Sequence, residues 1–270
     1  MKKWSLPLNP GVKHLKFNFV KFSVTPSFLL LLSSSSSSSS IMESTSFLTS
    51  NIGLFCIFSV INLSLYILLR TVLGTDISRR SWLLTLFSSV TTTISGFYHL
   101  ILLAGLGWTD PSLLHSTDLP SRATLVYFMS YLVLDLAVGV VDYPSKITLL
   151  AGWTHHFAYL GILSYLIHVE SCIPFCLFLS EELPTAAFSI GFLAKQWRHD
   201  NLFGASYLAL RLALHAYMSF NSWKYDIMGW QFAWAVMPLH IFWFSQWVQQ
   251  QRREKRFQFL NWFDIFYLCL

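Results

Sequence analysis

Two adjacent histidines, His155 and His156, lie inside an apolar stretch running from Ile147 to about His168. Packing gives no reason for paired imidazoles there, because strongly polar side chains at bilayer depth are costly and turn toward a packed interior or a wet cavity. Imidazole gains and loses protons near neutral pH, so the pair suits acid–base work, nucleophilic attack or the binding of a polar headgroup. Neighbours on a helix point about 100° apart, so both rings reach one cavity only if that cavity wraps around their helix. Other polar residues recur at the four-residue interval that places two side chains on one helix face. These are Ser95 with His99, Tyr131 with Asp135, His155 with Tyr159, Glu181 with Thr185, and Arg211 with His215. Glu182 adds a second carboxylate, and Arg211 is the expected counter-charge for Asp135, Glu181 or Glu182, since an unpaired buried charge is expensive. Together these faces predict an intramembrane polar cavity. The single histidines His99, His215 and His240 are equally consistent with hydrogen bonds between helices.

Long apolar helices have to position such residues. Of the 270 residues 54% are hydrophobic and only 11% charged, with 24 Phe, 11 Trp and 11 Tyr. A soluble domain carries about 25% charge, so lipid is expected to cover much of this surface. The formal charge of +5 is spread over ends and loops and argues against nucleic acid as a partner. The cysteines make neither a zinc nor a disulfide pattern, and Cys172 and Cys176 read as small packing residues. Seven stretches approach the roughly 20 residues needed to cross the hydrocarbon core: 47–69, 82–104, 123–141, 147–168, 172–193, 202–220 and 227–248. Glu181, Glu182 and Pro184 interrupt the fifth. Seven crossings place Arg70, Arg79, Arg80, Lys146, Lys195, Arg198 and the run Arg252 to Arg256 on one side, against Arg122 and Lys224 on the other. That bias predicts a cytosolic C-terminus.

Residues 1–41 differ from the rest, with five lysines before residue 22 and a serine run from Ser33 to Ser40. The apolar segment Phe28 to Leu32 is too short for a secretory signal, so this stretch reads as a disordered, low-complexity or mis-annotated leader. Translation starting at Met1 or at Met42 stays open. The expected organisation is a leader at 1–41, a first transmembrane helix and loop at 42–80, a main domain at 81–248, and a basic, aromatic cytosolic tail at 249–270.

Gly152-Trp153-Thr154-His155-His156-Phe157-Ala158-Tyr159, preceded by Tyr131-x3-Asp135 and Ser95-x3-His99 and followed by Glu181-Glu182-Leu183-Pro184-Thr185, resembles the TLC domain. That family includes ceramide synthases, translocon-associated membrane proteins and small TLC domain-containing proteins. The resemblance covers roughly Ser81 to Val248 and implies an all-α membrane fold: a six-helix barrel with a lumen, here preceded by one extra helix. Ceramide synthases follow their paired histidines with His-Asp and a further Asp, whereas Glu182-Leu183 stand here. The non-synthase members, associated with lipid composition and trafficking, are the nearer likeness.

The expected function is therefore lipid handling in a polar cavity lined by Ser95, His99, Tyr131, Asp135, Tyr159, Glu181, Glu182, Arg211 and His215. The alternative is a lipid-modifying, acyltransferase-like enzyme in which His155 and His156 are catalytic, with acyl-CoA as co-substrate. No resident cofactor and no metal site is expected. A divalent-metal transporter using His155, His156, Asp135, Glu181 and Glu182 is a minor alternative. His155 and His168 are spaced for stacked haems, but no second helix offers a matching pair. Membrane lipids are the expected partners, homo-oligomers or other membrane proteins remain open, and the resemblance implies the endoplasmic reticulum.

Overall fold

The computed structural model describes residues 38–73, 76–105, 115–227 and 230–253. Most of the expected leader, and the tail beyond Arg253, lie outside the described residues. The chain divides into two compact units, Met1–Ser46 and Phe47–Leu270. In the first, residues 38–46 are helical.

The described residues hold no strand and form seven helical rods. They are α1 (Ser38–Leu73), α2 (Leu83–Gly105), α3 (Leu119–Asp142), α4 (149–168), α5 (Ile173–Leu193), α6 (200–224) and α7 (Trp230–Arg253). Four stretches are long and apolar enough to cross a membrane: Asn51–Leu73, Ile77–Gly105, Leu119–Asp142 and Ile173–Leu193. Length and composition thus fit an integral membrane protein. The remaining expected spans coincide with α4, α6 and α7, which fall outside those four. Two of them are broken by π-helical turns, at Leu149–Thr154 in α4 and Tyr207–Leu214 in α6. The third ends in the polar run Gln249 to Arg253.

Local chemistry explains the helix ends and breaks. Asp118 and Ser121 form a reciprocal capping box that starts α3, with Pro120 in the first turn where its missing N–H costs nothing. In α5, Pro184 cannot donate to the carbonyl four residues earlier, and the chain tightens into a 3₁₀ turn over Leu179–Glu182. That turn lies directly on α2 because Gly96 has no side chain: a Cβ there would stand 2.1 Å from the Ser180 backbone nitrogen. The close approach points Glu181 and Glu182 into the bundle.

An apolar core forms where α3, α4 and α5 meet, around Leu125, Leu132, Leu163, Leu166 and Cys176. Cys172 and Cys176 are fully buried there as packing residues. Helix α1 packs on α3 through the edge-to-face Phe58–Tyr127 pair and a buried Asn62 to Ser130 hydrogen bond of 3.1 Å. At the end of α3, Asp142 accepts from Tyr66 and pairs with Arg70 at 3.0 Å and Arg80 at 2.8 Å. Arg79 meets the Leu193 carbonyl at the end of α5. Of the basic residues that the sequence groups together, Arg70, Arg79 and Arg80 thus meet the ends of α3 and α5, while Arg122, near the start of α3, pairs with Glu170.

Candidate functional site

Helices α2 to α7 enclose a chamber of about 590 Å³, and none of its lining residues comes from α1. Its polar groups sit on two walls.

On the first wall, α3 and α4 bring Asp135 to His156. Asp135 Oδ2 lies 3.1 Å from His156 Nε2, and Asp135 Oδ1 accepts a 2.7 Å hydrogen bond from the Tyr143 hydroxyl. His156 Nδ1 lies 2.8 Å from the Gly152 carbonyl. Both ring nitrogens of His156 therefore face acceptors, which requires a proton on each or one on the carboxylate. His156 is committed to its own helix and to Asp135. His155 is different: it makes no hydrogen bond with any described residue and meets only rings, those of Tyr159 at 4.6 Å, His156 at 5.7 Å and Trp243 at 6.4 Å. Both histidines nevertheless line the chamber, which wraps around the start of α4. Tyr131, held 3.3 Å from Thr85, completes this wall.

On the second wall, Arg211 of α6 reaches the 3₁₀ turn of α5. Its Nε donates to the Glu181 carbonyl at 2.8 Å, and its Nη2 to Glu182 Oε1 at 2.8 Å and Thr185 Oγ1 at 2.7 Å. Of the three candidate carboxylates, Glu182 is the counter-charge. The Glu181 carboxylate turns instead to His215 Nδ1, with both oxygens at 2.9 Å, and to His240 Nε2 at 3.3 Å. All three of these residues are buried. His215 Nε2 donates to the Ala233 carbonyl of α7 at 2.9 Å.

Nine of the eleven candidate residues line this chamber: Tyr131, Asp135, His155, His156, Tyr159, Glu181, Glu182, Arg211 and His215. Ser95 and His99 are not among its lining. Ser95 Oγ bonds Thr124 at 2.8 Å, His99 Nδ1 donates to the Ser95 carbonyl at 2.7 Å, and His99 Nε2 lies 3.7 Å from Asp118. This group closes the seam between α2 and α3. The four-residue rule put Ser95 and His99 on one face correctly but could not say which way that face turns.

Sequence reasoning left His240 as a helix-to-helix hydrogen bonder and passed over Tyr143 and Trp243. His240 and Trp243 lie three apart, one helical turn, and that spacing was a usable signal. The π-helical turns were not legible. One runs directly into His155, and the other contains Arg211 and ends just before His215. Such turns widen the helix and re-aim the side chains around them, and they recur at functional sites.

Comparison of the chain with protein-family models, with curated proteins and with solved structures gave no match.

Proposed function

We propose that this protein is a multi-pass membrane protein that takes a lipid into the α2–α7 chamber, with the acyl part against aromatic and aliphatic walls and the headgroup at Arg211, Glu182 and His155. The reading is carried by one observation: the chamber is amphipathic and only partly enclosed, and apolar residues of α4 and α7 on its lining are exposed. The His155 and Trp243 rings of those two helices lie 6.4 Å apart. Leu150, Phe232 and Leu239 line the chamber and are also exposed at the surface, at 57%, 46% and 38%. An apolar mouth facing the bilayer admits a lipid without passing its tail through water. The size lies in the roughly 300–1,000 Å³ range of small-molecule pockets.

Under this reading the resemblance to the TLC domain has a structural counterpart, six helices around a lumen with one helix outside. The basic end of the bundle then faces the cytosol together with the C-terminus, and the endoplasmic reticulum follows from the resemblance alone. The enzyme alternative is favoured by one further observation, that His155 lines the chamber with neither ring nitrogen hydrogen-bonded to a described residue, as a general base or nucleophile requires.

Lipid analysis of the full chain purified in mild detergent tests the reading. Ala158 lines the chamber at its exposed side, and Ala158→Trp is expected to plug the mouth and remove copurified lipid from folded protein. Wild-type protein without bound lipid, or a folded Ala158→Trp that keeps its full complement, would sink lipid uptake through this mouth. For the enzyme alternative, His155→Ala should abolish a change in cellular lipid profile and leave bound lipid intact.

A further inference from the structure

We propose that Glu181, His215 and His240 form a binding site for one divalent transition-metal ion, zinc or iron(II), set in the wall of the chamber. The proposal stands apart from the lipid reading, since it rests on donor chemistry and charge.

Three donor atoms converge: a carboxylate oxygen of Glu181, Nδ1 of His215 and Nε2 of His240 all lie within 4.8 Å of one another. Around a tetrahedral zinc with bonds of 2.0–2.1 Å, neighbouring donors stand about 3.3 Å apart. Glu181 lies 2.9 Å from His215 and 3.3 Å from His240, so a small closing or opening movement of these side chains would fit an ion between them. Two imidazoles and one carboxylate make the donor set of catalytic zinc sites and of non-haem iron(II) centres, both of which leave a coordination position open. All three residues line the chamber, so the open position faces whatever the chamber holds.

Charge supplies an independent observation. Arg211 makes its direct ion pair with Glu182 at 2.8 Å and reaches Glu181 at the backbone carbonyl, which leaves the Glu181 carboxylate, on a residue only 5% exposed, without a direct ion pair to a permanent cation among the described residues. The groups in direct contact with that carboxylate among the described residues are the two imidazoles, with Arg211 acting on it from farther away. His215 donates its Nε2 proton to the Ala233 carbonyl, so in the neutral ring Nδ1 carries a lone pair directed at two carboxylate oxygens. Lone pair against carboxylate is repulsive unless a positive charge lies between, and a hydrogen bond from the far ring nitrogen to a backbone carbonyl is what orients a metal-ligating histidine. His240 directs its one partnered nitrogen to the same place, its Nδ1 being buried without a partner. Sequence spacing hid the set because each ligand comes from a different helix: the 3₁₀ turn of α5, the residue after the π-helical turn of α6, and a position two residues beyond Pro238 in α7.

The test is elemental analysis of the full chain purified in mild detergent without added chelator. The expected result is about one equivalent of zinc or iron per chain, reduced about ten-fold or more in Glu181→Gln and in His240→Gln and retained in His156→Gln, which leaves all three donors in place. Should the Glu181 and His240 variants fail to fold, wild-type protein stripped with a chelator and titrated with zinc chloride decides. Recovery of about one equivalent with a rise in the unfolding temperature supports the site. Metal-free wild type that takes up no zinc or iron overturns the proposal and leaves a proton as the missing positive charge. Metal content unchanged in folded Glu181→Gln, or lost in His156→Gln, overturns its location.

Discussion

The two walls of the chamber solve the same problem, a carboxylate inside an apolar bundle, in opposite ways. On the α3–α4 wall Asp135 is satisfied by one tyrosine and one histidine, both committed to that pairing. On the α5–α7 wall the carboxylates sit on a 3₁₀ turn, and their partners come from or follow π-helical and proline-interrupted helix. There one carboxylate is neutralised by Arg211 and the other is left to histidines. The α3–α4 wall is a brace. The α5–α7 wall holds charge in an unfinished state, and since π-helical turns enter both walls it is the unmatched charge that sets this one apart.

The sharpest way to break this comparison is Arg211→Leu, which leaves Glu182 without its cation. Removing one partner of a buried ion pair costs about 3 kcal/mol, so thermal unfolding in detergent should show a larger loss than any other single change in either wall. A loss under about 1 kcal/mol would mean that solvent screens the pair, as at an exposed surface, and that the second wall is not a buried charge system.

Next in size is Gly96→Ala. The new methyl would meet the Ser180 backbone at 2.1 Å, and backbone cannot rotate aside. Overpacking of this kind costs about 1–3 kcal/mol. Because the displaced turn carries Glu181 and Glu182, metal and lipid retention should fall with stability. Stability lost with retention unchanged would show that the turn merely packs there.

Much of this was written in the sequence, and the parts that were not have physical reasons. Apolar stretches and their polar interruptions located every rod, and Pro184 announced the break in α5. The paired histidines, Asp135 and Arg211 were legible because ionisable residues in apolar runs have few harmless places to go. What spacing could not supply was rotation: Ser95 and His99 share a face that turns to the α2–α3 seam rather than to the chamber. Nor does a sequence period reveal π-helical turns, which break the 3.6-residue geometry on which face-sharing rests. His155 and His156 looked equivalent as letters. Hydrogen bonding separates them into a free imidazole and a tethered one.

Tyr143→Phe probes the brace. It removes one hydrogen bond from Asp135 and leaves His156 in place, for an expected loss of about 1–1.5 kcal/mol in unfolding free energy. Lipid and metal retention should stay at wild-type levels, since neither the mouth nor the second wall is touched. A loss of bound metal in this variant would show the two walls coupled, and the contrast between brace and unfinished site would fail.

The smallest expected effect lies outside both walls, in the cap that starts α3. The Asp118 carboxylate accepts from the Ser121 backbone N–H at 2.7 Å, and the Asp118 backbone N–H donates the reciprocal capping-box bond to Ser121 Oγ at 3.1 Å. Partial burial pushes its carboxyl upward, but the side-chain and backbone hydrogen bonds from Ser121 and the nearby His99 outweigh that and hold it below the usual carboxylate range. A carboxyl lowered in the folded state contributes stability that is present above its unfolded value and lost as pH falls through the folded one. Asp118→Ala should therefore cost about 1 kcal/mol at neutral pH, and the difference from wild type should shrink on acidification. Asp118→Asn keeps a capping oxygen without the charge, so it should retain most of the neutral-pH stability while losing this acid-dependent part. Bound lipid and metal should not change in either variant, because Asp118 closes the α2–α3 seam and does not line the chamber. If they fell as far as in Gly96→Ala, the chamber would have to depend on the whole bundle rather than on the α5–α7 wall that carries Glu181, Glu182 and Arg211.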